Sequence, residues 1–250
     1  MKAEITWQNN KWEVDLAKPL SIAIPIKEGD KNPNCYFSDQ VIFETIKGDG
    51  FIGSIEQGGM VNHKKIIISP HGNGTHTECY GHITNSDAVI ANKLNDFMHI
   101  AQLITVSPIR NDGDLVIDKS IFDDIPLLPG IKALVIRTIP NDTSKLNWNY
   151  SGTNPPYLSL QAMQFIVDHG IEHLIVDLPS VDKEQDEGRL ASHKTFWQIE
   201  KAVRENASIT ELAYIPDSIS DGVYLLNLQI LPIHLDVSPS NPQLFALIQL

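Results

Sequence analysis

The sequence predicts an α/β fold with a mixed β-sheet, built as a single domain. Apolar segments of strand length flank a helical pattern in the middle of the chain, and nearly continuous apolar strands follow near its end. The chain has 250 residues, of which 42% are hydrophobic and 20% charged, enough for one large core. Because no internal repeat or linker interrupts it, we assign residues 1–250 to one domain.

The first third of the chain predicts short strands and loops. Residues 12–26 (WEVDLAKPLSIAIPI) are typical of short strands broken by two prolines. Residues 27–37 (KEGDKNPNCYF) predict a turn-rich loop, which either covers a site or is ordinary surface. Residues 51–69 predict a β-hairpin whose turn lies at Gly58 and Gly59.

The middle of the chain predicts a parallel strand–helix–strand unit. Residues 132–136 (KALVI) and 174–178 (LIVDL) are apolar runs of strand length. Between them, residues 158–168 predict a helix with Ser159 as its N-cap and Gly170 at its end. A connection of this length is typical of a crossover between parallel strands.

The last third predicts one more helix and two strands. Apolar residues recur at helical spacing in residues 196–204. The segments VYLLNLQIL and LFALIQL then predict strands. The first of these is apolar at both even and odd positions, which indicates burial on both faces.

The charge and composition limit the possible partners. The net charge is −12, and nucleic acids and anionic membranes need basic surfaces, so we expect neither as a partner; the charge says nothing about a small-molecule substrate. The amino terminus has no apolar signal core, and no apolar run reaches the ~20 residues of a membrane span. The two cysteines, Cys35 and Cys79, form no CxxC pair. We expect a cytoplasmic protein with reduced thiols.

The segment PHGNGTHTECYGHI, residues 70–83, holds three of the nine histidines. His76, Glu78, Tyr80 and His82 are two residues apart, and alternate side chains of an extended strand share one face. Imidazole and carboxylate together suit zinc, manganese or iron. A solvated glycine-rich turn with incidental histidines is the other interpretation, and spacing alone leaves both open.

Cys79 offers a different chemistry, as a nucleophile with His76 or His82 as its base. Alternation, however, places Cys79 on the face opposite both histidines. The pattern therefore favours a small buried residue over a nucleophile.

Further ligands must come from elsewhere, because a catalytic zinc takes three protein ligands. His193 follows the predicted strand LIVDL and an acidic loop, past the carboxyl end of a parallel strand, where open α/β sheets place their sites. Glu205 follows the predicted second helix. Spacing does not establish that His193 and Glu205 converge.

These residues resemble a known family. GTHTECYGH resembles the GTHxDxPxH signature of the cyclase family of metal-dependent hydrolases, which includes bacterial kynurenine formamidases and isatin hydrolases. Four other segments resemble family segments in the same order: VDLAKPLSIAIPI, KALVIRT, PPYLSLQAMQFIVDHGIEHLIVDLPSVD and RENASITEL. The resemblance covers most of the chain, from about Val14 to the last strands. It implies a swivelling β/β/α type of fold and assembly as a homodimer or homotetramer.

The resemblance also implies a divalent metal, zinc or manganese, and roles for particular residues. By matching position, the metal ligands are His76, Glu78, His193 and Glu205, and His82 is the general acid/base. A further family ligand, a histidine four residues before the GTH histidine, is Gly72 here. His71 is one residue away, and it either reaches the metal or that ligand is lost.

Two more departures concern the pocket. The family aspartate is Glu78 here, which keeps the charge and lengthens the side chain, and the family proline is Tyr80, a candidate wall of the substrate pocket. The resemblance implies hydrolysis of a small amide, cyclic amide or ester-like substrate, as in an arylformamidase. The alternative is a family member that binds a metal or ligand without hydrolysing it.

Overall fold

The strands of the protein form one large mixed sheet and three small ones; the computed structural model describes residues 1–250. Numbered in chain order, the strands are β1 (Lys2–Trp7), β2 (Asn10–Asp15), β3 (Leu20–Ser21), β4 (Ile42–Thr45), β5 (Lys47–Gly48), β6 (Phe51–Ile52), β7 (Lys64–Ile67), β8 (His76–Glu78), β9 (Met98–Val106), β10 (Ile109–Asn111), β11 (Asp114–Ile117), β12 (Ala133–Thr138), β13 (Tyr157–Leu158), β14 (His173–Val176), β15 (Ser208–Glu211), β16 (Gly222–Ile230) and β17 (Val237–Gln249). The α-helices are α1 (Pro70–Asn73), α2 (Ile90–Lys93), α3 (Ile121–Asp124), α4 (Leu160–Asp168) and α5 (Ala191–Trp197), and 3₁₀ turns span Tyr80–Ile83 and Thr143–Leu146.

The large sheet closes on itself. Seven of its ten strands form a closed ring in the order β17-β16-β9-β12-β14-β15-β8, in which β8 pairs with β17 again; β2 also pairs with β17 and with β1, and β3 pairs with β17. The central strands β9, β12, β14 and β15 are parallel, and the others are antiparallel to their neighbours. A closed sheet leaves β8 no free edge, so its side chains are held from both sides. The predicted α/β class with a mixed sheet is confirmed.

Helix α4 provides the parallel crossover between β12 and β14. The Ser159 side chain accepts a hydrogen bond from the Ala162 amide and caps the helix. Gly170, at φ +75°, continues the chain in a left-handed conformation that glycine adopts without steric cost. The predictions for this unit are confirmed.

Both faces of the central strands are buried. In β12, Leu134 and Ile136 join the core beneath α4 and α5, whereas Ala133 and Val135 join the core on the other face of the sheet. This is why the sequence is continuously apolar there rather than alternating.

Two local predictions are wrong. Residues 51–69 do not form one hairpin, because β6 pairs with β5 across the Asp49–Gly50 turn and β7 pairs with β4. The helix expected at residues 196–204 is instead α5, which already ends at Trp197, where Gln198 turns to φ +52°. None of the helices has the length and apolar character that a membrane crossing requires.

Candidate metal centre

Strand β8 places two side chains of the histidine motif in the protein interior. His76 and Glu78 are both 0% exposed. Thr77 points the other way and hydrogen-bonds the Thr210 hydroxyl at 2.7 Å. The predicted alternation is therefore confirmed over these three residues, and it puts an imidazole and a carboxylate on one face.

The alternation stops after Glu78, because the chain enters the 3₁₀ turn Tyr80–Ile83. His82 returns by this turn, with its Nε2 3.7 Å from Glu78 Oε2. The Tyr80 ring instead packs against the core with Lys93 Nζ 5.2 Å from its centroid, and no hydrogen bond or aromatic contact joins it to the cluster histidines. The structure thus brings His82 to the cluster, whereas the contacts of Tyr80 are with the core and Lys93.

His71 reaches the cluster from helix α1. Its Nδ1 is 3.2 Å from Glu78 Oε2, and its Nε2 is 3.2 Å from Asp236 Oδ2. The neighbouring Gly72 has no space for any side chain: a Cβ there would lie 2.0 Å from Ser38 Oγ and 2.7 Å from Ser38 Cβ. The volume where the resemblance implies a histidine is therefore filled by the preceding loop.

His193 approaches Glu78 from helix α5. Its Nε2 is 3.0 Å from Glu78 Oε1 and 3.7 Å from Glu211 Oε1. Its Nδ1 donates to Asp182 Oδ2 at 2.6 Å, and Asp182 also accepts hydrogen bonds from the Ser192 and His193 amides. One carboxylate thus fixes both the start of the helix and the orientation of the imidazole.

Glu205 does not join the cluster, contrary to the expectation from the motif match. Its side chain is 60% exposed and pairs with Lys93 Nζ at 2.6 Å. Glu211 takes the expected place: it lies opposite His76 in the pairing of β15 with β8, and its Oε2 is 3.4 Å from His76 Nε2. The physical reason is that α5 ends early and a run of turns separates it from β15, so the strand's own glutamate faces the cluster.

The charged side chains of the cluster shift one another's pKa values. Burial raises the pKa of Glu78, but His82, His193 and His71 together outweigh burial and hold that pKa well below its usual range. Burial lowers the pKa of His193, but Asp182 and Glu78 outweigh it and raise that pKa well above the usual value. Burial opposes the same effect at His71, where Asp236 and Glu78 raise the pKa to about 9. A metal that binds here must displace protons from imidazoles.

Two buried atoms of the cluster make no well-aligned hydrogen bond: His76 Nε2, and Glu78 Oε2, whose nearest nitrogen is His71 Nδ1 at 3.2 Å. His76 Nδ1 lies 2.9 Å from the Gly74 carbonyl, which can only accept, so Nδ1 carries the hydrogen. In the neutral imidazole Nε2 then presents a lone pair to the Glu211 carboxylate. Two acceptors facing each other in a dry site fit a cation between them.

Three sets of donor atoms lie within 4.8 Å of one another and so could hold a metal ion: His71, His76 and Glu78; Glu78, His82 and His193; and His71, His82 and Asp236. Sequence reasoning missed Glu211, Asp182 and Asp236. The first two lie in the quoted segments RENASITEL and PSVD: Glu211 is the last residue of β15, and Asp182 lies in the loop that follows β14. Asp236 has no local signal.

Cys79 is fully buried, and its thiol donates to the Ala88 carbonyl at 3.7 Å. Burial raises the pKa of the thiol to about 11. A thiol that stays protonated at neutral pH is a poor nucleophile, so the expected buried role fits the structure.

The chain is similar in sequence to a known protein family and to several of its members. A family model described as putative cyclase matches residues 14–183. Over 236 residues the chain is 26% identical to a kynurenine formamidase of Bacillus anthracis, covering 94% of this chain and 96% of that protein.

Two solved structures share the fold. A protein from Bacillus stearothermophilus described as a predicted metal-dependent hydrolase superposes with a TM-score of 0.66 at 18% identity, covering 91% of this chain and 98% of the other. Isatin hydrolase A from Labrenzia aggregata superposes with a TM-score of 0.66 at 14% identity, covering 92% and 93%. The predicted resemblance is confirmed, and because the family model spans more than half of its length, the chain belongs to the cyclase family.

Proposed function

We propose that this protein is a metal-dependent hydrolase that cleaves a carbon–nitrogen bond other than a peptide bond in a small molecule. Its family and its likeness to kynurenine formamidases support an arylformamidase-like reaction on an amide, a cyclic amide or a related ester-like carbonyl. The observation that carries the proposal is the buried His76 Nε2, which has no hydrogen-bond partner and faces the Glu211 carboxylate at 3.4 Å. Buried polar atoms without partners are rare unless a ligand satisfies them.

The proposed ligands are His76, Glu78, His193, Glu211 and His71. Three imidazoles with two carboxylates suit zinc or manganese, because both accept this mixture of nitrogen and oxygen donors. When bound, such an ion supplies Lewis acidity, which makes a water molecule nucleophilic near neutral pH and polarises the substrate carbonyl.

His82 is the proposed general acid/base. Its side chain is 30% exposed, so substrate and water can reach it, whereas Glu78 beside it is fully buried. In that position its imidazole takes a proton from the attacking water and returns one to the leaving nitrogen.

We also propose that the protein acts in the cytoplasm as a homodimer or homotetramer, as the family resemblance implies. Both cysteines are free and buried, which is compatible with a reducing compartment. Strands β4 and β7 expose Ile42, Ile66 and Ile67, which supply apolar surface for a contact between copies. Light scattering after gel filtration measures the assembly.

The test is metal content and hydrolysis measured on the same samples. The purified protein, loaded with Zn²⁺ or Mn²⁺, is assayed against formanilides, lactams and lactones. We expect hydrolysis that a chelator abolishes, loss of metal in His76→Ala, and retained metal with turnover ~10²–10⁴-fold lower in His82→Ala. His169→Ala, which removes an exposed histidine outside the cluster, is the control. Retained metal with no hydrolysis of any substrate would instead indicate a binding protein.

A further inference from the structure

Tyr36 lies in a loop that contacts two parts of the chain carrying proposed metal ligands. Its hydroxyl donates a hydrogen bond to the Pro179 carbonyl at 2.8 Å. The residue before it, Cys35, donates its amide to the Gly72 carbonyl at 3.0 Å. Gly72 follows the proposed ligand His71 in helix α1. Two consecutive residues of the loop therefore connect α1 with the segment that begins at Pro179.

That segment, residues 179–182 in the loop after β14, holds two further proposed ligands. The Val181 amide donates to Glu211 Oε1 at 3.0 Å. Asp182 Oδ2 lies 2.6 Å from His193 Nδ1. A shift of this one segment would therefore move a carboxylate and an imidazole of the cluster together.

The backbone at Tyr36 is held in an unfavourable conformation. Tyr36 and Phe37 have φ of +58° and +55°, in the left-handed region that residues with a Cβ rarely adopt. The Phe37 amide donates to the Ser151 hydroxyl at 2.9 Å, which fixes the loop from its other side. Such strain persists only where the surrounding contacts enforce it, and it is concentrated at functional sites.

The hydroxyl group, more than the ring, connects Tyr36 to the 179–182 segment. The residue is 47% exposed, so complete burial does not fix its side chain. A metal ion needs its ligand atoms at about 2.0–2.2 Å, which demands fixed spacing between the segments that carry them. Sheet pairing sets the spacing of His76 and Glu211. The spacing of His71 from the 179–182 segment depends on loop contacts, and the Tyr36 hydroxyl is one that spans it directly.

We propose that Tyr36 is a positioning residue of the metal centre, whose hydroxyl holds the 179–182 segment, and with it Glu211 and His193, at the spacing from His71 that one metal ion requires. The proposal rests on the proposed metal-dependent function. It gives the loop predicted at residues 27–37 a role beside the site.

The test compares the native chain with Tyr36→Phe, which keeps the ring and removes only the hydroxyl. Tyr224→Phe is the matched control, because Tyr224 also donates to a backbone carbonyl, that of Ser220 at 2.6 Å, outside the cluster. Zinc affinity is measured by chelator competition. The visible absorption of the Co²⁺-loaded proteins reports ligand geometry independently of any activity. Urea unfolding of the metal-free proteins checks that both variants fold.

We expect Tyr36→Phe to lower the zinc affinity roughly 10–100-fold and to change the Co²⁺ absorption bands, because the ligands lose their fixed spacing. Tyr224→Phe should match the native chain in both measurements. Native zinc affinity or a native Co²⁺ spectrum in Tyr36→Phe overturns the proposal. An equal loss of affinity in Tyr224→Phe also overturns it, because the effect would then reflect general stability.

Hydrolysis measured on the same samples separates this proposal from the proposed function. Absence of hydrolysis in every sample, with the expected zinc and Co²⁺ results, removes the hydrolase function and keeps the role of Tyr36. Hydrolysis by the native chain, with equal zinc and Co²⁺ results in all three proteins, removes the role of Tyr36 alone. A native chain that binds neither ion overturns both.

Discussion

Gly72 gives the most direct test of the packing around the site. A Cβ at this position would lie 2.0 Å from Ser38 Oγ, 2.7 Å from Ser38 Cβ and 3.1 Å from the Cys35 carbonyl oxygen. The hydroxyl can rotate away, but Ser38 Cβ moves only with the backbone. Gly72→Ala therefore forces the loop away from α1.

The magnitude follows from two opposing effects. Overpacking a closed site costs ~1–3 kcal/mol, and alanine in a helix gains up to about 1 kcal/mol over glycine. We expect a net loss of ~1–2 kcal/mol in the free energy of unfolding, and a melting temperature lower by roughly 2–4 °C per kcal/mol in a chain of this size.

Urea denaturation of four proteins tests this reasoning: the native chain, Gly72→Ala, Ser38→Gly and the double variant. Ser38→Gly removes both close atoms, so Gly72→Ala should cost less than ~0.5 kcal/mol in the S38G background. Gly74→Ala is the control, because its Cβ would meet Ile26 Cγ1 at an ordinary 3.4 Å. The same loss with and without Ser38 would refute the steric explanation.

Three further predictions address the ligands, the acid stability and the thiol. Glu211→Gln should lower the zinc affinity at least ~10-fold in a chelator competition, whereas the control Glu205→Gln should leave it unchanged. Equal zinc affinities in the two variants would show that Glu211 is not a metal ligand. Burial lowers the pKa of His173 from 6.5 to about 3, so the unfolded chain takes up the proton first, and stability falls as the pH drops through this window. His173→Gln should flatten that fall in urea midpoints measured from pH 7 to pH 4, and an unchanged slope would contradict the assignment. Cys79→Ala should keep the activity, which EDTA abolishes; a loss of activity with normal folding would revive the thiol mechanism.

Elements specified by local chemistry could be predicted from the sequence. Helix α4 has its cap at Ser159, its apolar face and its glycine stop within a dozen residues, and all three are present in the structure. The hairpin prediction is wrong because Asp49–Gly50 is a stronger turn signal than the Gly58–Gly59 pair. Asp49 and Gly50 both adopt positive φ, as a tight hairpin turn requires.

Only those site residues whose positions follow from nearby sequence could be predicted. His76 and Glu78 are set by strand alternation, and His193 by its place past a parallel strand. Glu211 was missed because matching the sequence to the family segment gave Glu205, and the sequence does not show that turns separate α5 from β15. Asp236 comes to His82 through the pairing of β17 with β8, a contact between distant parts of the chain that no local pattern encodes.

The closure of the sheet at β8 has a consequence for how the protein is made. Strand β8 needs β15 on one side and β17, the last strand of the chain, on the other. A ribosome that has completed the motif with His76 and Glu78 has therefore produced two of the proposed metal ligands without the proposed site, because their neighbours are still to be synthesised. Contacts so far apart in sequence form late in folding. If the proposed site holds a metal, we expect loading only in the finished chain, because a chain truncated before β17 lacks one of the two strands that enclose His76 and Glu78.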